Sequence, residues 1–309
     1  MLSRIAESLF WIGRYIERAD GTARILDVYL QLLLEDIWID EDSACRALLG
    51  VMGNDAPPER ALTRGDVINA LAVDRDETAS IAYSLNAARE NARRAREIIS
   101  TELWEVLNTT RAAMPWQIPG EKVHEFFTWT RERCALATGI ADSTASRDDA
   151  WSFFTLGRAI ERADMTARLL ATRTLTEASG PSWTTILRSV GAYEAYLRTY
   201  RGVPSATNAA EFLLLDRLFP RSVLYSLLQA EECLTEIEPQ RERVGYKDSA
   251  QRMLGQMRAE LEFKPIYETI AHLPEVMDKV QSTTTAVSNA IRRHYFPTHN
   301  LPMWVGENS

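Results

Sequence analysis

Cysteine is scarce in this chain. Cys45, Cys134 and Cys233 lie far apart in 309 residues and form no C-x-x-C pair. That excludes thiolate zinc motifs and a disulfide framework, and it points to a reducing cytoplasm. Glycine and proline are also few, 14 and 12, and alternating β-branched runs are scarce, which excludes an all-β architecture. No apolar run approaches the roughly 20 residues of a membrane span. The opening MLSRIAESLF carries Arg4 and Glu7 inside its apolar pattern and has no small-residue cleavage site, so it does not read as a signal peptide. A net charge of −8, with no aromatic residues interleaved among the arginines, argues against nucleic acid. G-x-S-x-G, P-loop and G-x-G-x-x-G motifs are absent. The E-x-x-H at Glu121 and His124 stands single, whereas a di-iron bundle needs two such motifs and two further glutamates. No metal and no cofactor are expected.

What is present is a charged helical motif written twice. Residues 8–26, SLFWIGRYIERADGTARIL, and 152–170, SFFTLGRAIERADMTARLL, are identical at thirteen of nineteen positions. The shared positions include Gly13/Gly157, Arg14/Arg158, Glu17/Glu161, Arg18/Arg162, Asp20/Asp164, Thr22/Thr166 and Arg24/Arg168. A second match, at nearly the same offset, pairs residues 74–85 with 216–227, with six of twelve identical. Together these predict a tandem duplication of a unit of about half the chain. The expected division is a first helical repeat over 1–145, a second over 146–295, and an irregular tail over 296–309, all in one helical unit.

The apolar positions Ile5, Leu9, Ile12, Ile16, Ala19, Ala23, Leu26, Leu30 and Leu33 alternate in steps of four and three, the seam of a helix in a bundle. The fold class expected is therefore all-α. Further helices are expected over 79–110, 122–137, 148–177, 184–200, 207–218, 221–238, 246–261 and 273–293, and Met303 and Trp304 of the tail could dock on the bundle or on a partner.

On a helical wheel Gly13, Glu17, Asp20 and Arg24 share one stripe bordering the seam, and Gly157, Glu161, Asp164 and Arg168 repeat it. Arg14/Arg18 and Arg158/Arg162 lie on an adjoining strip. Exposed i,i+4 pairs contribute only about 0.2–0.5 kcal/mol, too little to explain two matching copies. Two readings stay open: a polar network that fixes helix register, or a ligand site. A second constellation, Asn86, Arg89, Arg93 and Arg96, falls on one face of its helix. Three guanidiniums in a row suit carboxylate or phosphate, although the same pattern also describes a solvated face with Glu90 and Glu97 beside it. The aligned stretch of the second half carries Glu231 and Glu232 instead.

LSRIAESLFWIGRYIERADGTARILD at 2–27, ARENARRAREIISTELWEVLN at 88–108 and LGRAIERADMTARLL at 156–170 closely resemble the bacterial Alpha-E family, over essentially the whole chain. The resemblance implies an all-helical cytoplasmic protein associated with circularly permuted ATP-grasp proteins and transglutaminase-like proteases, in a system that forms peptide or amide bonds. The first expectation is a non-catalytic accessory or substrate-binding partner in that system, with Arg89, Arg93 and Arg96 holding an acidic peptide or the partner itself. The alternatives are an enzyme using Glu17 and Glu161 as a carboxylate pair, and a helical scaffold with no small-molecule site.

Overall fold

Serine and aspartate side chains start most of the helices, each accepting a hydrogen bond from a backbone N–H of the first turn. Ser80, Ser100, Asp148, Ser182, Ser205, Ser222 and Asp248 all do so. The computed structural model describes residues 1–35, 39–54, 60–174, 182–239 and 245–297. Among these the chain forms α1 (Ser3–Glu35), α2 (Glu41–Val51), α3 (Arg64–Ile68), α4 (Ile81–Arg94), α5 (Thr101–Ala113), α6 (Val123–Thr144), α7 (Asp149–Ala171), α8 (Trp183–Ser189), α9 (Tyr193–Tyr200), α10 (Ala206–Leu215), α11 (Val223–Ile237), α12 (Ser249–Phe263), α13 (Ile266–Ala271) and α14 (Leu273–Tyr295). The protein is all-α. No helix among the described residues is long and apolar enough to cross a membrane.

Two expected helices are broken. The 79–110 segment is two helices, because Ser100 accepts from Leu103 N and starts α5. That lets α5 fold back onto α4, burying Leu103 and Leu107. Apolar spacing continues through Ile98 and Ile99, so periodicity alone misses the turn. The 184–200 segment divides into α8 and α9 at Gly191, whose φ of +66° lies in the left-handed region that glycine tolerates. The second copy of the motif leaves the α-helix after Ala171 and ends in a 3₁₀ turn, Thr172–Thr174; the rest of its expected range, with Met303 and Trp304 of the tail, lies outside the described residues. Phe296, at the start of the tail, is buried between Phe10 and Phe153, with ring centroids 5.8 and 5.7 Å away.

The helices gather into two groups. α1 packs on α4 and α6, with α5 bridging those two; α7 packs on α11 and α14, with α12 bridging those. The groups are joined through the seam between α1 and α7. These two helices run in the same direction, since Phe10 faces Gly157, Gly13 faces Phe154 and Arg158, and Gly21 faces Met165. The seam is closest at the repeated glycines. A Cβ on Gly13 would lie within van der Waals contact of the Phe154 carbonyl oxygen and 3.0 Å from Arg158 N; one on Gly157 would collide with the Phe10 carbonyl, 2.9 Å from its carbon. Farther along, Gly21 makes room for its counterpart in the other copy, and a Cβ there would stand 2.7 Å from that of Met165.

Backbone on the far side of the contact cannot yield as a side-chain tip can. Gly13→Ala and Gly157→Ala are therefore expected to cost about 2–3 kcal/mol in chemical denaturation, despite alanine's better helix propensity. Gly139→Ala, in the interior of α6 with nothing within 4 Å, should instead gain about 0.5–1 kcal/mol.

Candidate functional site: a crossed carboxylate–guanidinium network

The close approach at Gly13 and Gly157 brings the charged stripes of α1 and α7 against one another. Glu17 and Glu161 are 3 % and 1 % exposed, and each takes its partners from the opposite helix. Glu161 accepts from Arg14 Nε, from Arg18 Nε at 2.6 Å and from Arg18 Nη2 at 3.1 Å. Glu17 accepts from Arg158 Nε at 3.2 Å, Arg162 Nε at 3.1 Å and Arg162 Nη2. Arginines four residues apart reach across as one grip because i and i+4 share a helix face. Burial alone would push both carboxyls up. For Glu17 the guanidiniums of Arg162, Arg158 and Arg221 outweigh it, and for Glu161 those of Arg14 and Arg18, so both are held well below the usual carboxylate range.

The rest of the stripe extends the network on both sides in parallel. Asp20 accepts from Arg24 Nε at 2.8 Å and Asp164 from Arg168 Nε at 2.7 Å. Arg24 Nη1 donates to the Ser189 carbonyl at the end of α8 and Arg168 Nη1 to that of Val51 at the end of α2. The segments leading into α4 and α11 dock alike. Arg18 Nη1 donates to Thr78 O at 3.4 Å and Arg162 Nη1 to Pro220 O at 3.2 Å. Thr22 Oγ1 donates to Ala79 O at 3.2 Å and Thr166 Oγ1 to Arg221 O at 3.1 Å. Ser80 and Ser222 then donate to the carbonyls of Asp74 and Asp216.

The structure thus brings together Arg14, Glu17, Asp20, Arg24, Arg158, Glu161, Asp164 and Arg168, with Arg18 and Arg162 between them. Sequence reasoning missed three members. Thr284 donates to Asp164 at 3.0 Å and Ser288 accepts from Arg14, both from α14; neither stood out in the sequence. Arg221 lies 2.9 Å from Asp20 and 3.6 Å from Glu17. It did carry a signal, for it falls inside the second repeated segment opposite Ala79, an exchange of a methyl for a guanidinium.

That exchange changes the space beside each carboxylate pair. Where Arg221 lies, between Glu17, Arg24 and Arg162, a cavity of only about 10 Å³ remains, about the least that holds one water. Where Ala79 lies, a cavity of about 220 Å³ is lined by Arg18, Glu161, Asp164 and Arg168, with Met52 and Gly53.

The second constellation lies elsewhere and does not line this cavity. Arg89 Nε donates to Asn108 at 3.1 Å, and its guanidinium is 5.0 Å from the Trp104 ring centroid. Arg93 Nε donates to Glu90 at 3.0 Å, and Asn86 accepts from Arg111 at 3.2 Å. Arg96 lies beyond the end of α4, exposed, 5.7 Å from the same tryptophan. The remaining chemistry is sparse. All three cysteines are buried, and burial pushes the Cys134 thiol well up. His124 pairs with Asp27 at 2.8 Å. Among the described residues no group of three or more histidine, cysteine or acidic side chains could hold a metal.

An all-helical protein whose two principal helices exchange buried Glu–Arg pairs is the class that fold and site define. The chain belongs to the Alpha-E family, described as a predicted alpha-helical domain with a conserved ER motif, which matches residues 1–296. Glu17-Arg18 and Glu161-Arg162 are the two E-R pairs at the centre of the network. Similar relatives are an uncharacterized protein of Mycobacterium bovis and counterparts from two strains of Mycobacterium tuberculosis. Each is 27 % identical over 252 residues, covering 72 % of this chain and 28 % of the relative. The chain therefore spans under a third of their length. No solved structure matches.

Removing one partner of a buried pair leaves the other charge uncompensated, at a cost of about 3–5 kcal/mol. Glu17→Gln and Glu161→Gln should each lower unfolding free energy by that amount. Because the folded carboxyls are held below the unfolded value of about 4.3, their contribution is complete above it and fades as pH falls through the folded values. Acid titration of the parent should show stability level down to about pH 5 and declining below it. Both variants should show a shallower decline.

Proposed function

We propose that this chain is a non-catalytic accessory or substrate-binding partner in an ATP-grasp type peptide or amide ligase system, acting beside a circularly permuted ATP-grasp protein and a transglutaminase-like protease. The observation that carries the reading is the locking of Glu17 and Glu161. A general acid must hold a proton near neutral pH, and these carboxyls are kept ionised by guanidiniums on the opposite helix. As bases they are weakened by the same contacts, and they are 3 % and 1 % exposed. The repeated motif therefore supports a structural role, against the reading of a stand-alone enzyme using this pair.

A surface for recognition remains on α4. Arg89 and the following Arg96 present guanidiniums beside Trp104, and Arg93 lies exposed one turn from Arg89 with Glu90 between them, a set suited to an acidic peptide or to carboxylates of the partner. The size of the mycobacterial relatives supports the same reading. Most of each relative lies outside the match, so there the helical unit is one part of a longer chain.

The test mixes the purified chain with its cognate circularly permuted ATP-grasp protein and follows co-elution and ATP turnover. A stable complex or raised turnover is expected. The triple variant Arg89→Ala, Arg93→Ala, Arg96→Ala should weaken either effect about tenfold or more, while its melt stays within about 1 kcal/mol of the parent. Neither complex nor change in rate would overturn the proposal, and a complex indifferent to the three arginines would remove them from it.

A further inference from the structure

We infer that the cavity beside Glu161 and Asp164 binds a guanidinium cation supplied from outside the chain, in the place that Arg221 fills from within the chain beside Glu17 and Asp20. The inference rests on the point-by-point likeness of the two surroundings. The Ala79 and Arg221 carbonyls accept from equivalent threonines at 3.2 and 3.1 Å. The preceding carbonyls accept from equivalent arginines at 3.4 and 3.2 Å. The next residues, Ser80 and Ser222, cap equivalent helices. The backbone therefore launches both side chains from the same position. At 221 a long cationic side chain crosses to the carboxylates and leaves about 10 Å³. At 79 a methyl group leaves about 220 Å³ against the same set of groups.

Likeness to the filled side and hydrogen-bond capacity favour a cation over an anion. Glu17 and Asp20 are faced by four guanidiniums, those of Arg158, Arg162, Arg24 and Arg221. Glu161 and Asp164 are faced by three, those of Arg14, Arg18 and Arg168. One more cation makes the two sides equal. Two carboxylates have about eight acceptor positions between them. Arg14, Arg18 and Arg168 take four of these and Thr284 a fifth, which leaves acceptors for a planar donor. The arginines lining the cavity already donate to carboxylates and to the Thr78 and Val51 carbonyls, so an anion would have to take them from bonds already made. A guanidinium suits the remaining geometry better than an ammonium, because its fork spans two carboxylates as Arg221 does.

The cation can come from an arginine side chain of a peptide or from a free alkylguanidine. Calorimetric titration of the full chain with agmatine and with acetyl-Ala-Arg-Ala-amide separates these sources, with butylamine and inorganic phosphate as comparisons. Saturable one-site binding of at least one guanidinium probe is expected, tighter than butylamine. A tighter peptide assigns the site to a protein or peptide partner, and a tighter agmatine to a small molecule. Ala79→Arg should place a guanidinium in the cavity from within and weaken the probe about tenfold or more, with a melt no lower than the parent's. If that variant does not fold, Ala79→Met fills the same space without charge and must weaken binding likewise. No saturable guanidinium binding, phosphate binding in its place, or a filled variant that binds as tightly as the parent would overturn the inference. The titration uses the chain alone, so it is independent of the accessory role proposed above.

Discussion

Everything in this molecule hangs on the contact between the backbones of α1 and α7 at Gly13 and Gly157. Without side chains there, each helix presents its backbone to the other, and carbonyls sit where a Cβ would otherwise be. At that separation an arginine on one helix reaches a glutamate on the other while the glutamate stays buried. The ion pairs then act as a register. Taking charges out of water is costly, and a buried pair gives little net stability over a well-packed apolar substitute. What it supplies here is a strong preference for one alignment: sliding either helix by a turn would take from each buried carboxylate one of its two cross-seam arginines. The same arginines and neighbouring threonines also hold the segments entering α4 and α11, so the register of one helix pair is passed to both helical groups.

Much of this was legible in residue spacing. The apolar seam of α1, the stripes Gly13–Glu17–Asp20–Arg24 and Gly157–Glu161–Asp164–Arg168, and their twofold occurrence all follow from a period of 3.6 and from identity between the copies. Spacing does not carry the partner of each charge. Asp20 and Asp164 keep their own-helix arginines, as the i,i+4 rule suggests, whereas Glu17 and Glu161 are paired across the seam. Nor does periodicity see a change of direction that keeps its apolar rhythm, which is why the turn before Ser100 was hidden. Thr284 and Ser288 come from α14, more than a hundred residues beyond the motif they complete. Arg221 alone among the missed members left a trace, as a departure inside an otherwise matched segment.

The two matched pairs of segments make departures informative. Where both copies carry the same residue, a shared structural need accounts for it, as with the buried glutamates. Where they differ at the same place in the fold, the difference alters a surface or a space without altering the frame. Arg89 of α4 stands where α11 has Glu231, and Ala79 stands where the second repeated segment has Arg221. The frame is thus conservative while its two faces differ.

Gly21 and Met165 occupy the same place in the two copies and face each other across the seam. One is the smallest residue and the other long and flexible. Two α1 helices placed together would have a notch facing a notch, and two α7 helices would have two methionines contending for one space. Only the unlike pair closes. The two near-identical helices therefore discriminate self from other, and a newly made chain carrying both is steered to join α1 to α7 rather than to line up like helices of separate chains.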